Sequence, residues 1–589
     1  MSESPGNVVG KWEKRLRRRL VRLLKLRVWV AEIIHPSELQ ITLVWAGVVG
    51  FLGGGSSIVF RWLTRLLNSA LTQQQGTGGL VESFSHLAGW QCFCLPALGG
   101  ILAGLVLLLG ERWRGKSSTD YMEAIAVGDG VVSARSSLTK SVSAMFTIAS
   151  GGSIGREGPL VQLAAMLASL LGRIGRWPPT RRRLLVACGA AAGIAAAYNA
   201  PIAGALFVAE IILGSLAMEI FGPLVFSSVV STLTVRSILG GKPLFEIPQF
   251  QLSSGWEMIP CMVLGLFGGL LAPWFLALLR WSEQSFMRMR APGFVRMGIG
   301  GLIVGALAVN YPEVCGNGYS TVNTILHGGW VWQGLLVVLV LKMVATSATF
   351  GSGAVGGVFT PTLFVGACLG YLSGTMLAWL PGCHGISPIA FALVGMGSFL
   401  AGTTHAPIMA ILMLFEMTLD YQMILPLMLA CVVAYYTSLH FDKRSIYSES
   451  LRRKGALDFR LQLSGLKVAD LMRRSPVTVN ETAHFSEIGR AFIQNRFNYL
   501  YVTDDRGRFR GAVSLHDVKG YLNEPELAEL VIARDITRDD FPTVADDVTL
   551  AEALDKFLHH DGERLPVVGR DSRLVGSISK TDIILALAL

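Results

Sequence analysis

Two halves of the chain carry the same broken pattern, and that pattern restricts the fold more than any other feature. Residues Gly155-Arg156-Glu157-Gly158-Pro159 match Gly357-Val358-Phe359-Thr360-Pro361. Each set follows a Gly/Ser-rich run, SGGSI in one half and GSGAVG in the other, and each opens an apolar stretch of helix length. About forty residues on, Asn199-Ala200-Pro201-Ile202 matches His405-Ala406-Pro407-Ile408, and a glutamate stands nine places after each proline, Glu210 and Glu416. Hydrophobic segments punctuated by Gly and Pro at corresponding places in two halves are the mark of a repeat-built transporter. They predict a binding site near a membrane midplane.

Composition supports a membrane setting. Of 589 residues, 51% are hydrophobic and only 16% charged, and there are 66 glycines. Apolar runs such as Pro96–Gly110, Trp256–Leu279 and Gly334–Val344 alternate with short breaks. Several fall short of the roughly 20 residues that a straight span needs. Interrupted backbone at membrane depth must be buried in protein or line a polar cavity, because lipid offers it no hydrogen bonds. A bundle of straight spans therefore fits poorly.

The net charge of +10 is unevenly placed. Between Lys11 and Arg27 nine basic residues face one acid. The positive-inside rule keeps such a segment cytoplasmic. It either lies on an anionic membrane surface, using its interleaved leucines, or serves as a solvated topogenic arm. No nucleic-acid-binding module accompanies it, so nucleic acid is not expected as a partner. It lacks the apolar core and cleavage site of a signal peptide. The eight cysteines are scattered in apolar context and predict neither a metal site nor a disulfide framework.

The expected organisation is a basic arm over 1–36, a membrane domain over 37–451, a charged linker over 452–466 and a soluble tail over 467–589. The membrane domain divides into repeats of about 40–245 and 255–445, separated by a polar, turn-rich stretch. The tail repeats too, over 467–524 and 530–589. Both copies keep Gly-x-[Val/Ile]-Ser-x-x-Asp, at Gly511–Asp517 and Gly576–Asp582. These helix–strand–strand–helix units resemble a pair of CBS modules. The resemblance implies that Ser514, Asp517, Ser579, Thr581 and Asp582 contact the phosphate and ribose of an adenine nucleotide. The competing reading is that these serines and aspartates cap the helices that follow them.

The chemistry of the repeated segment can be read from its residues. A Gly-rich turn leading into an apolar helix leaves backbone N–H groups free at the helix N-terminus, and with the helix dipole they attract an anion. The second half builds the same arrangement at Val358 and Phe359. Two such termini hold an anion without a full positive charge, which suits release as well as binding. Glu157 has a specific meaning there. Its carboxylate competes with a soluble anion for the N–H groups, and once protonated or swung aside it vacates the site. It therefore reads as a gate, a proton carrier or both.

In combination, GREGP, the GxFxP form of Gly357–Pro361, the Asn-Ala-Pro and His-Ala-Pro helices with their glutamates, and Tyr447 resemble the CLC family of chloride channels and proton/chloride antiporters over about residues 40–450. The resemblance implies an all-α polytopic membrane domain of two inverted-topology repeats with short broken helices, followed by the α/β CBS pair. It implies a homodimer in membrane lipid, with one chloride pathway per subunit and no required cofactor. It assigns gating to Glu157 and anion contacts to Gly155, Arg156, Glu157, Gly158, Gly357, Val358, Phe359 and the Tyr447 hydroxyl. The family's first motif, usually Gly-Ser-Gly-Ile-Pro, is replaced around Gly115–Ala124. Alignment on Glu123 puts the anion-contacting serine at Ser117, with Ser118 as the alternative, in a form similar to the bacterial ClcB-type branch. A serine there suits chloride.

Protons are a separate matter. Family antiporters often carry an inner glutamate just after the one matching Glu210, and here that position is Ile211. The expectation is a channel-like or weakly proton-coupled conductor. The alternative is an antiporter whose protons travel by water or through Glu123. Glu210 and Glu416 read as structural groups that satisfy broken backbone. Two rivals have little support. Gly151–Gly155 formally matches a Gly-x-Ser-x-Gly nucleophile elbow at Ser153, but that motif needs a soluble α/β sheet. A CBS-regulated cation transporter would cluster acids within its spans, and this chain has few. The protein is thus expected in a bacterial inner membrane with both termini cytoplasmic, moving ions rather than transforming a substrate.

Overall fold

The computed structural model describes residues 38–73, 79–112, 120–126, 128–241, 243–245, 256, 258–379, 387–447, 466–474, 476–495, 499–515, 517–518, 530–558, 564–569 and 571–585. The basic arm, Ser117, Ser118 and nearly all of the linker lie outside them. The chain divides into two units, Met1–Glu449 and Ser450–Leu589.

The first unit is helical. Its first half runs α1 (Glu38–Thr72), α2 (Leu80–Ser85), α3 (Gly89–Arg112), α4 (Tyr121–Ala126), α5 (Ala134–Ala149), α6 (Glu157–Ile174), α7 (Pro179–Tyr198), α8 (Pro201–Leu206) and α9 (Met218–Leu239), with a π-helical turn, Phe207–Leu213, continuing α8. Its second half runs α10 (Met258–Arg288), α11 (Gly293–Ala308), α12 (Tyr319–Leu326), α13 (Trp332–Gly351), α14 (Phe359–Ala378), α15 (Pro388–Thr404), α16 (Pro407–Thr418) and α17 (Ile424–Phe441). Packing repeats as the order does. Helix α6 lies on α7 as α14 lies on α15, and α1 lies on α9 as α10 lies on α17. Among the described residues, seven helices are long and apolar enough to cross a membrane.

The breaks have a common cause. Asn199 and His405 end α7 and α15 in the left-handed region, at φ 59° and 58°. The following alanines adopt nearly equal non-helical angles, and Pro201 and Pro407 then start new helices at their first position. Proline excludes helical geometry from the residue before it, yet suits the first turn of a helix because its missing N–H would be unpaired anyway. The repeat in sequence is thus a repeat in dihedral angles. Close helix approach depends on small residues. A Cβ at Gly366 of α14 would collide with the Gly395 carbonyl of α15, and one at Gly395 with the Gly366 carbonyl.

The second unit contains two like modules. The first has α18 (Val468–Leu471), β1 (Thr478–Asn480), α19 (Phe485–Asn495), β2 (Tyr499–Thr503) and β3 (Phe509–Ser514). The second has a 3-10 turn at Ala533–Ile536, β4 (Val544–Ala545), α20 (Leu550–Leu558), β5 (Arg564–Val568), β6 (Leu574–Ser579) and α21 (Lys580–Leu585). Each forms a three-stranded sheet in which the first strand is parallel to the second and the second antiparallel to the third. The register slips at the same place in both, after Val502 and after Val567. Each module's lead-in residue pairs with the other's sheet, Arg473 with Ser577 and Arg538 with Ala512.

Candidate anion site between two helix N-termini

The N-termini of α6 and α14 meet. Gly155 N–H donates to the Gly357 carbonyl at 2.7 Å, and Gly357 N–H donates back to Gly155 at 2.9 Å. This bridge is antiparallel. The bridge gives the two copies of the motif a local two-fold relation, an arrangement that inverted repeats share.

Glu157 opens α6, but its side chain crosses to α14. The Thr360 N–H and hydroxyl both donate to Glu157 Oε1, at 2.7 and 2.8 Å. Among the described residues Oε2 has no hydrogen-bond partner, although it is buried. The glycines explain how the side chain fits. A Cβ at Gly357 would sit 2.7 Å from Glu157 Cγ, and one at Gly155 would collide with the carboxylate oxygens. The space that both lack a side chain to fill is where Glu157 lies. Gly158 likewise lets α6 pass the backbone of Gly356 and Gly357.

Val358 caps α14 and Phe359 is its first residue, so their N–H groups stand at its unpaired end. Sequence reasoning stopped at Phe359 and missed Thr360. The signal was present, since a helix leaves four N–H groups free at its start. It also missed Tyr198, which is fully buried. Tyr198 packs on Phe359, with ring centroids 4.9 Å apart, and its hydroxyl lies 3.2 Å from Thr360 Oγ1. Because the Thr360 proton is directed at Glu157, the Tyr198 hydroxyl acts as the donor in that contact. Tyr447, far away in sequence, packs edge-on against Phe207 at 5.1 Å and lies close enough to Glu157 to interact electrostatically. Tyr121 in turn approaches Tyr447. Tyr319 packs beside Arg156, with its ring 5.5 Å from the guanidinium carbon.

The paired glutamates cap each other's repeat. Glu416 of α16 accepts from Ile202 N–H and Ala203 N–H at 3.0 and 2.8 Å, at the start of α8. Glu210, in the π-helical turn, accepts from Ile408 N–H and Met409 N–H at 3.3 and 2.8 Å, at the start of α16. The bends before these helices are also anchored. Arg236 of α9 donates to Asn199 Oδ1 at 2.7 Å, and His405 contacts Ser438 of α17 at 3.3 Å.

Ser153 is fully buried, and its hydroxyl is 3.1 Å from that of Thr346. It faces another hydroxyl rather than a catalytic base. In the second unit, Ser514 and Ser579 donate to Asp517 and Asp582 at 2.8 and 2.6 Å and accept their N–H groups, which is capping geometry. The remaining carboxylate capacity is taken by arginines of the opposite module. Arg538 binds Asp517 through two nitrogens, and Arg473 reaches Asp582 at 3.1 Å. Burial pulls the Asp517 carboxyl up, but Arg538 and the Ser514 hydroxyl outweigh it and hold it below the usual carboxylate range. Asp582 is held low in the same way by Ser579 and Arg473 against the pull of burial. The Thr581 side chain lies outside the described residues.

Comparison with known proteins matches these features. Residues 98–439 match the family profile described as "Voltage gated chloride channel". Residues 468–524 and 533–589 each match the CBS domain. A ClcB-like chloride channel protein of Ralstonia nicotianae is 51% identical over 414 residues, which cover 69% of this chain and 96% of that protein. The voltage-gated ClC-type chloride channel ClcB of Salmonella typhimurium is 40% identical, over 69% of this chain and 98% of that one. The crystal structure of a slow cyanobacterial Cl−/H+ antiporter is similar at TM-score 0.63 and 25% identity, covering 72% of this chain and 98% of that chain. A eukaryotic CLC transporter structure shares the fold at TM-score 0.63 and 18% identity, over 93% of this chain and 99% of that chain.

Proposed function

The chain belongs to the CLC family, and from that premise we propose that it conducts chloride through one pathway in each subunit of a homodimer, gated by Glu157. One observation carries this reading. The Glu157 carboxylate takes the N–H and hydroxyl of Thr360 at the mouth of α14. A carboxylate there stands in for the transported anion, since both satisfy the same donors. A helix terminus favours an anion by about 0.3–1 kcal/mol at the surface and up to about 2 kcal/mol when partly buried. That range is compatible with release. Chloride at higher concentration, or a proton on Glu157, frees the donors, and chloride then reaches the N–H groups of Val358, Phe359 and Thr360. The Tyr447 hydroxyl and the serine expected at Ser117 line the path inward.

The coupling mode follows from what stands behind the gate. Both Glu210 oxygens cap α16, and the neighbouring Ile211 holds no proton. This supports channel-like or weakly proton-coupled conduction. A second reading, proton/chloride antiport, draws on α4. That helix carries Tyr121 and Glu123 and packs against the π-helical turn, so Glu123 stands near the route an inner proton would need. The names of the relatives divide the same way, between channel and antiporter. The cation-transporter alternative gives way to membership of a chloride-transporting family.

Orientation is read from the turn between α6 and α7. Its Arg173, Arg176, Arg181, Arg182 and Arg183 favour the cytoplasmic face of a bacterial inner membrane under the positive-inside rule, as the basic run of the N-terminal sequence does. The reversal potential of purified dimers under opposed chloride and pH gradients tests the mode. A value tracking chloride alone means a channel, and a shift with pH means exchange. Glu157→Gln is expected to abolish any coupled proton movement. Unchanged pH dependence in that variant would sink the gating role.

A further inference from the structure

We propose that the turn between α6 and α7 is a binding site for the headgroup of an anionic phospholipid. Arg173 and Arg176 take the phosphate, while Ile174 and Trp177 meet the top of the acyl chains.

The turn stands at a membrane boundary. Trp177 packs edge-on against Trp45 of α1, with ring centroids 5.3 Å apart. Trp45 is near the start of the membrane-length stretch Gln40–Thr72. Tryptophan gathers at that level because its ring suits the acyl chains and its N–H suits water. Apolar side chains beside the pair face outward, Ile174 at 80% and Val44 at 65% exposed.

Charge is concentrated at the same level. Residues 173–183 hold five arginines and no acid. They divide by what they touch. Arg182 pairs with Asp129 at 3.2 Å, and Arg183 donates to the carbonyls of Ile125 and Ala126, both at 2.9 Å. These two fasten the turn to the end of α4. Arg181 lies over the Trp177 ring, 5.3 Å from its centroid. Arg173 and Arg176 are exposed, and among the described residues neither has an ion-pair partner. An anionic membrane surface attracts such side chains. The planar guanidinium fork suits a phosphate because it offers two parallel donors.

The backbone adds an independent sign. Helix α6 closes with Trp177 N–H donating to the Gly172 carbonyl and Arg176 N–H to that of Arg173, both at 3.1 Å. This closure needs a left-handed residue just past the helix end, and glycine usually supplies it. Here Arg176 does, at φ 52°, a conformation that costs an L side chain free energy which glycine avoids. A glycine does stand next to it, at 175, but there it makes room for the indole, since a Cβ would come within 2.8 Å of Trp177 Nε1. An arginine kept exposed in a strained position points to a use for its side chain. Bare cations mixed with exposed apolar side chains fit a phosphate that carries acyl chains better than a soluble anion or an acidic protein.

The test is native mass spectrometry of the full-length protein, purified in detergent and titrated with phosphatidylglycerol or phosphatidylcholine. The wild type is expected to retain phosphatidylglycerol in preference. Arg173→Gln is expected to weaken that binding about fivefold, the scale of one basic residue at an anionic surface. Combined with Arg176→Gly, the loss is about thirtyfold. The basic arm is present in every variant, so its own lipid binding cancels in the comparison. Arg176→Gly alone separates the site from the fold. Glycine relieves the strain, so the melting temperature holds or rises while phosphatidylglycerol binding falls about fivefold. Inorganic phosphate at matched ionic strength leaves the lipid bound. Equal phosphatidylglycerol affinity in wild type and double variant overturns the proposal, as does a wild type that binds the two lipids alike. Displacement of the lipid by inorganic phosphate also overturns it, because the turn would then be a site for free phosphate.

Discussion

Glu157 reaches a helix that is not its own, and Thr360 determines how firmly it is held there. The Thr360 hydroxyl is the only side-chain donor to the carboxylate among the described residues, while the backbone N–H does not depend on the side chain. Thr360→Val keeps size and removes that donor. A hydrogen bond to a charged group contributes about 1.5–3 kcal/mol, so this variant is expected to shift the balance toward the displaced glutamate by about ten- to a hundredfold. The measurement is chloride flux in liposomes at low chloride, which should rise. A flux equal to wild type would mean that the backbone donor alone sets the balance. Tyr198→Phe should act in the same direction but more weakly, because Tyr198 touches the carboxylate only through Thr360.

At the scale of elements, the two repeats are held together by exchanging caps. A broken helix buried in the membrane exposes N–H groups that lipid cannot satisfy. Here α8 is capped by Glu416 of the other repeat, and α16 by Glu210. Each carboxylate satisfies two N–H groups at once, and the dipole of the capped helix adds to the attraction. Glu416→Ala leaves the N–H groups of Ile202 and Ala203 buried and unmet. At about 1–3 kcal/mol for each unsatisfied group, the purified protein is expected to lose several degrees of thermal stability. An unchanged melting temperature would show that water replaces the cap. Glu416 is nearly buried, at 8% exposed, which argues against easy replacement.

At the scale of the whole molecule, the same device recurs in the soluble unit. Arg538 of the second module holds Asp517 of the first, and Arg473 of the first holds Asp582 of the second. The aspartates that a nucleotide would use are therefore engaged in joining the modules. ATP, ADP or AMP must displace an arginine to bind there. Calorimetry on the intact protein is expected to show no heat with these nucleotides unless Arg473 and Arg538 are both replaced. The latch also has a pH signature. Both aspartates are held below the usual carboxylate range. Their ionised forms thus stabilise the fold above about pH 4, the unfolded value, and that contribution is lost as pH falls through the lower folded value. Hydrogen exchange at β2 and β3 should be faster in Asp517→Asn than in wild type at pH 7. The gap should close on acidification below about pH 4. A gap independent of pH would mean that Asp517 acts through packing alone.

Much of this was legible in the residues. Proline and glycine dictate local dihedral angles wherever they stand, so the breaks at Asn199–Pro201 and His405–Pro407, the helix starts at Glu157 and Phe359, and the two-module tail could be read directly. The capping role of Glu210 and Glu416 was also legible, because buried broken backbone needs acceptors. Which helix each one caps was not, since nine residues after a proline says nothing about a segment some two hundred positions away. The same limit hid Thr360 as the partner of Glu157, Tyr198 behind it, and the arginines that cross between CBS modules. Alone, the sequence determined a membrane repeat protein with an anion-attracting helix terminus in each half and a carboxylate on one of them. Only the tertiary structure decided that the two termini meet antiparallel and that the carboxylate belongs to the opposite one. Propensity acts along the chain, whereas pairing acts through space, and hydrogen bonds between distant segments exist only once the fold has closed.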